Sequence, residues 1–471
     1  MADEGSGQVT HLRAWLEKAD RQFIWHPFTQ MQEYGRETPL VVREGRGCWL
    51  VDIHGRKYLD GVSSLWCNIH GHRRPEIDAA LRAQLGRIAH STLLGISNEP
   101  AIRLAKELVD LAPAGLTKIF YSDNGSTAVE VALKMAFQYW QHRGGAWRKK
   151  TKFVALRNGY HGDTIGAMSV GGIDLFHAAF RPLLFKTYLA PSPYCYRCEF
   201  GLDCTRCGWE CVAALERILR ARGREVAAMI VEPLVQAAGG MIVAPRGYLK
   251  RIARLCKRYH VLLIADEVAT GFGRTGRMFA CEHEGVRPDL LACSKGMTGG
   301  YMPLAATLCR LNIYDAFLGR FSEQKTFFHG HTFTGNQLGC TAALASIGIF
   351  KKDRVLEKLV PKVETLRTQL EQLRGLQHVG DVRQCGLIGA VELVQDREAG
   401  TPFDWRQRMG AQVCRAARRN GLLIRPLGDV IVIMPPLAIS ERDLRWMMGV
   451  IGDSIRDVTE RSAPETQRKA E

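Results

Sequence analysis

Val261-Leu262-Leu263-Ile264-Ala265-Asp266-Glu267 runs five apolar residues straight into two acids. An uninterrupted apolar run of this length suits a strand buried on both faces. A carboxylate at its end is costly to bury unless it meets a cation. The same pattern recurs on either side. Lys118–Tyr121, Phe153–Leu156, Ala228–Val231 and Asp289–Cys293 read as further short strands. Helix-length periodic stretches separate them, among them Val129–Tyr139 and Tyr248–Arg258. Pro100–Ala112 carries Ile102, Ala105, Leu108 and Val109 on one helical face. Residues 76–345 are therefore predicted to form a large α/β domain around a mainly parallel sheet covered on both faces.

The flanks read differently. Residues 1–75 open with a helical stretch, His11–Ala19, and continue as alternating segments Leu40–Arg43, Cys48–Ile53 and Lys57–Leu59. Turns at Glu44–Gly47 and His54–Arg56 separate the segments, so an N-terminal arm and a small β-meander belonging to a smaller domain are expected. Residues 346–471 predict a smaller α+β domain, with helices Val355–Leu373 and Trp405–Asn420 and strands Leu387–Val394 and Val430–Met434.

Composition narrows the class. The 471 residues are 46% hydrophobic and 24% charged, an ordinary globular balance. No run reaches the roughly 18 apolar residues of a membrane span, and Met1–Trp15 lacks the apolar core of a secretory signal. A cytoplasmic protein without a membrane partner is expected. The net charge of +16 is scattered, its densest runs being Arg148–Lys152 and Arg415–Arg419, as on a solvated basic surface. A nucleic-acid-binding protein would leave the acids and lysine at the strand ends unexplained. Cys195-x2-Cys198-x5-Cys204-x2-Cys207-x3-Cys211 has paired CxxC units. A thiolate metal site and plain reduced thiols both fit that spacing. The catalytic site is assigned no metal.

Ligands of open α/β sheets sit at the carboxyl ends of the strands. After the first strand comes Ser122-Asp123-Asn124-Gly125-Ser126-Thr127, opening a helix. A helix N-terminus with glycine and hydroxyls suits a phosphate, although Ser and Thr are also ordinary caps. After the second comes Asn158-Gly159-Tyr160-His161-Gly162-Asp163, with an aromatic able to cover a planar ligand. Glu232 and Asp266 end the next two. Ser294-Lys295-Gly296 follows the fifth, 29 residues beyond Asp266. A lysine partly desolvated there becomes an amine nucleophile toward a carbonyl. Amine, acid, anion cradle and ring cover together match pyridoxal phosphate: Lys295, Asp266, Gly125 with Ser126, and Tyr160.

Asp266-Glu267-Val268-Ala269-Thr270-Gly271-Phe272-Gly273-Arg274-Thr275-Gly276, with Ser294-Lys295-Gly296, resembles the class III aminotransferases, of the fold type I pyridoxal phosphate enzymes. Further motifs narrow the resemblance: Trp25-His26-Pro27-Phe28-Thr29-Gln30-Met31, Ser63-Ser64-Leu65-Trp66, Asn158–Thr164, His329-Gly330-His331-Thr332-Phe333, and Arg425-Pro426 ahead of Met434-Pro435-Pro436. They point to the branch that aminates 8-amino-7-oxononanoate in biotin biosynthesis.

The resemblance implies that Lys295 bonds the cofactor and moves the proton, that Asp266 pairs with its ring nitrogen, and that Gly125 and Ser126 bind its phosphate. It implies an obligate homodimer in which His331 and Thr332 complete the phosphate site across the interface, with Gly330 near substrate. Phe28, Trp66 and Tyr160 would line the substrate pocket, and Arg425 would take the substrate carboxylate, as a guanidinium fork can. Many members that use S-adenosylmethionine carry tyrosine where this chain has Phe28. S-adenosylmethionine is the expected donor, with lysine the alternative. Another class III ω-amino-acid transaminase is the nearest rival.

Overall fold

The computed structural model describes residues 3–203 and 205–461. Its centre is a seven-stranded sheet in the order Leu116–Ser122, Ala305–Arg310, Leu290–Cys293, Leu262–Asp266, Val226–Val231, Lys152–Leu156, Tyr188–Ala190. The pairs from Leu290–Cys293 to Tyr188–Ala190 are parallel; Ala305–Arg310 runs antiparallel to both its neighbours. Every residue of Val226–Val231, Leu262–Asp266 and Leu290–Cys293 is buried. Alternate side chains explain why. Leu262 and Ile264 pack with helix Gly125–Arg143 on one face, while Leu263 and Ala265 pack with helices Glu210–Arg222 and Tyr248–Arg258 on the other. The expected α/β layering is what forms.

The antiparallel strand Ala305–Arg310 and the short edge strand Tyr188–Ala190 escaped the sequence pattern. The first is built largely of small residues, and the second has three residues, too few for any periodicity.

The N-terminal meander pairs Val42–Arg46, Trp49–Asp52 and Lys57–Asp60 antiparallel in sequence. Leu422–Leu423 joins its far edge in parallel, so chain segments more than 350 residues apart share one sheet. The C-terminal sheet, ordered Val379–Cys385, Ile388–Leu393, Val430–Ile433, Arg425–Leu427, is antiparallel throughout. Helices Val355–Arg374 and Glu441–Arg461 close over it through Leu366, Leu370, Leu444 and Met447. Among the described residues no helix is long and apolar enough to cross a membrane.

Candidate active site

Parallel pairing brings the acid and the lysine to one end of the large sheet. Asp266 lies opposite Ala292 on the neighbouring strand, and Lys295 follows three residues later. Both line one cavity of about 680 Å³ with Trp66, Asn124, Gly125, Ser126, Tyr160 and Glu232. The strand-end residues singled out in the sequence thus converge on a single space.

Lys295 adopts φ 25° at the start of a 3-10 turn, so the chain leaves the strand abruptly and turns the amine inward. Burial pulls its pKa below the ordinary lysine value, while the charges of Asp266 and Glu232 push the other way. The ammonium lies 5.4 Å from the centre of the Trp66 ring.

Asp266 is 4% exposed. One carboxylate oxygen accepts from the backbone N–H of Val268 at 3.0 Å, and the other sits 2.7 Å from Nδ1 of the buried His161. In the sequence, His161 stands in the Asn158–Asp163 motif with no role of its own. Its contact with an acid 105 positions away is tertiary. The adjacent Glu267 points elsewhere, accepting from Thr270 Oγ1, Ala280 N–H and Cys281 N–H. Its role is to hold the following loop, and alternation along the strand separates the two neighbouring acids. Glu232 accepts backbone N–H groups of Tyr160 at 3.0 Å and Ala237 at 2.9 Å. Burial, reinforced by Asp266, pushes its pKa up to about 7 despite the opposing pull of His161 and these donors.

The helix start after the strand Leu116–Ser122 is capped by a neighbour of the Ser and Thr that could have served. Asn124, not Ser126 or Thr127, is the N-cap, accepting from Thr127 N–H at 3.1 Å while Thr127 Oγ1 accepts from Asn124 N–H at 3.0 Å. With the third amide satisfied by the cap, Gly125 and Ser126 open the helix at the positions whose N–H groups have no intrahelical acceptor. A Cβ on Gly125 would come within 2.6 Å of Val268. Gly162, at φ 123°, lies so close to Ser126 that a Cβ would meet Ser126 Oγ at 2.1 Å. Tyr160 is half-buried and donates to Asp163 at 2.7 Å; burial and that carboxylate raise its pKa.

The remaining sequence candidates stand off this cavity. Arg425 is half-buried, its guanidinium 6.0 Å from the ring centre of Phe28, which is 59% exposed. Phe28 leads back to Tyr160 through Phe176, at ring separations of 5.3 and 6.2 Å. These residues make an aromatic wall from the cavity to Arg425. Gly330, His331 and Thr332 are not part of the cavity lining. Gly330 and Thr332 are exposed, and His331 Nδ1 lies 3.9 Å from Asp123. Cys195, Cys198, Cys207 and Cys211 border a separate cavity of about 90 Å³, while Cys204 lies outside the described residues. Among the described residues, no three His, Cys, Asp or Glu side chains are grouped to hold a metal.

A half-buried lysine and a hydrogen-bonded acid at adjacent strand ends, facing a capped helix start, accord with family membership. The aminotransferase class-III family model matches residues 31–455, and the chain belongs to that family. Within it, the chain is 58% identical over 449 residues to the adenosylmethionine-8-amino-7-oxononanoate aminotransferase of Geobacter sulfurreducens, covering 95% of this chain and 98% of that one. The crystal structure of the enzyme of the same name from Methanocaldococcus jannaschii superposes with a TM-score of 0.90 at 46% identity, covering 94% and 99% of the two chains. An (S)-enantioselective omega-transaminase from Thermomicrobium roseum also superposes with a TM-score of 0.90, at 35% identity and covering 94% and 98%.

Proposed function

We propose that this chain transfers an amino group to 8-amino-7-oxononanoate to give 7,8-diaminononanoate in biotin biosynthesis, with S-adenosylmethionine as donor and pyridoxal phosphate as cofactor. The observation that carries the reading is Lys295 and Asp266 facing one cavity from adjacent strand ends. The names of the relatives at 45–58% identity support the choice of substrates.

The residues present fit the cofactor. The close approaches at Gly125 and Gly162 leave a small-residue cradle at a helix start, suited to a phosphate. Gly125 and Ser126 would hold that phosphate, joined by His331 and Thr332 from a second copy of the chain. Asp266 would hold the ring nitrogen, Tyr160 would cover the ring, and Lys295 would bond the aldehyde carbon. When bound, pyridoxal phosphate supplies the electron sink that stores the amino group between two half-reactions.

The chain's own groups do the rest. Desolvation keeps the Lys295 amine nearer its neutral form, the form able to take a proton at Nζ and return it. His161 and the Val268 amide fix the Asp266 carboxylate, so its charge is delivered at one place. Trp66 closes the lysine's surroundings against water, and Arg425 presents a bidentate fork for the substrate carboxylate, with Gly330 of the second copy near substrate.

The homodimer finds support in the surface around Thr332. His90 and Asn98 hydrogen-bond to the backbone of Thr332 and Gly335, which brings the segments 90–98 and 328–335 side by side. Leu94, Phe328 and Phe333 on these segments are 89%, 77% and 56% exposed, an apolar patch that a second copy would cover. The division into a large cofactor-binding unit, residues 76–345, with smaller flanking units 1–75 and 346–471, and a cytoplasmic location belong to the same proposal. A second reading rests on Phe28, which has no hydroxyl to offer the donor: lysine in place of S-adenosylmethionine. Single-turnover mixing of cofactor-loaded protein with each donor separates them. Amination by S-adenosylmethionine is expected. Amination by lysine alone selects the second reading, and failure of 8-amino-7-oxononanoate to accept nitrogen from either form rejects both.

A further inference from the structure

Residues 191–209 join the edge strand Tyr188–Ala190 to helix Glu210–Arg222 and, among the described residues, form only turns and bends. Arg197, Glu199, Asp203 and Arg206 on it are exposed, whereas Cys195, Cys198, Cys207 and Cys211 are each half-buried. A segment so exposed buries too little apolar surface to hold one shape and needs a staple. All four cysteines border one cavity of about 90 Å³, walled also by Phe200 and Trp209. The described lining offers sulfur and no carboxylate or imidazole. A soft, thiolate-binding cation suits that set, and magnesium or calcium does not.

Local geometry points the same way. Trp209 N–H donates to Cys207 Sγ at 3.3 Å, a bond from two residues along the chain that favours charge on the sulfur. Cys211 stands second in helix Glu210–Arg222, where N–H groups lack intrahelical acceptors and favour a thiolate. Burial chiefly, then the nearness of Cys207 and Cys198, raise the pKa of the Cys211 thiol. Ionised together, these sulfurs would repel, and a dication between them removes the repulsion. No three of the described sulfurs are grouped to hold a metal. Binding therefore has to draw them in, which a segment of turns and bends can follow. Beyond the cysteines, Arg197 Nε donates to Glu392 at 2.5 Å and Tyr194 Oη donates to the same carboxylate. Glu392 lies on strand Ile388–Leu393, so fixing the cysteines fixes a link between the edge of the large sheet and the C-terminal sheet.

We propose that Cys195, Cys198, Cys207 and Cys211 bind one zinc ion as thiolates, a structural site apart from the catalytic cavity. Each thiol passes its proton to solvent as its sulfur–zinc bond forms. Four sulfurs around tetrahedral zinc leave no position for water, so the ion holds the segment and takes no part in transamination.

Elemental analysis of full-length protein, produced in zinc-supplemented medium and purified without chelator, should give about one zinc per chain. Cys198→Ser and Cys207→Ser should each lower that content tenfold or more, whereas Cys414→Ala, in helix Met409–Arg419, should keep it. Zinc that survives both serine variants is an adventitious ion only, and either that result or a metal-free or iron-loaded parent chain would overturn the proposal. If the serine variants do not fold, cobalt(II) exchanged into the parent chain decides. Strong visible absorbance of a tetrahedral ion, with sulfur-to-cobalt charge transfer in the near ultraviolet, is expected. The pale spectrum of an octahedral, oxygen-bound ion would sink the idea. Trypsin tests the staple: cleavage at the exposed Arg197 and Arg206 should be roughly tenfold faster after a chelator removes zinc. Equal rates would refute the structural role. None of these measurements uses the amino acceptor, so the zinc site stands or falls apart from the function proposed above.

Discussion

The floor and the rim of the cavity are built by different means. At the floor, Asp266 and Lys295 follow strands whose residues are wholly buried, Asp266 is fixed by His161 and the Val268 amide, and Asn124 caps the facing helix. At the rim, Phe28 is 59% exposed, the Arg425 guanidinium lies 6.0 Å from the Phe28 ring centre, and Thr332 faces solvent. Chemistry common to a family belongs on the rigid floor, where a carboxylate and an amine must keep their geometry. Choice of substrate belongs on the rim, where one residue can change without disturbing a strand.

That contrast can be broken most decisively at Lys295. Lys295→Ala should lower kcat by roughly 10⁴-fold, about 5.5 kcal/mol, and abolish the visible absorbance of the lysine–cofactor linkage. Survival of either would place the reactive amine elsewhere. Asp266→Asn removes the charge that His161 orients, and a fall of roughly 10²–10³-fold in kcat is expected, with smaller change in KM, measured in steady state.

At the rim the sign of the effect should move to binding. Arg425→Ala should raise KM for the oxo acid roughly 10- to 100-fold, matching the 1.5–3 kcal/mol of a charge-assisted pair, with kcat nearly unchanged. A kcat loss without a KM change would make Arg425 part of the floor.

Glu232 sharpens the floor side through pH. Its folded-state pKa, raised to about 7 from 4.5 chiefly by burial, means that the folded form binds the extra proton. Its stability contribution is fully present below about 4.5 and lost as pH rises through about 7. Denaturant titrations of cofactor-free protein should show Glu232→Gln, which cannot titrate, gaining on the parent chain across that window, by on the order of 3 kcal/mol. A constant difference between the two would mean that Glu232 is ionised throughout. The smallest effect is expected from Phe28→Tyr. A restored hydroxyl should improve the S-adenosylmethionine half-reaction by roughly 2- to 10-fold, read as the KM for donor.

The strand ends were legible because they are local. An apolar run followed at once by Asp266, or by Ser294-Lys295, shows its burial and its chemistry within a few residues. The helix Tyr248–Arg258 could be bounded from periodicity, and its bounds are those observed. Other features had no local signature. The antiparallel strand Ala305–Arg310 is mostly small residues, the pairing of Leu422–Leu423 with the N-terminal meander spans most of the chain, and His161 reads as one more residue of a loop.

By itself, the order of residues determined which side chains end each strand, and with them the amine, the acid and the glycine-bearing helix start. Backbone periodicity and the cost of burying a bare charge act over a handful of positions, so a linear chain displays them. Only the tertiary structure decided that His161 holds Asp266, and that Arg274 reaches the carbonyls of Trp66 and Asn68. Those contacts join residues brought near by packing, whose energies depend on distance in space and leave no mark on spacing along the chain.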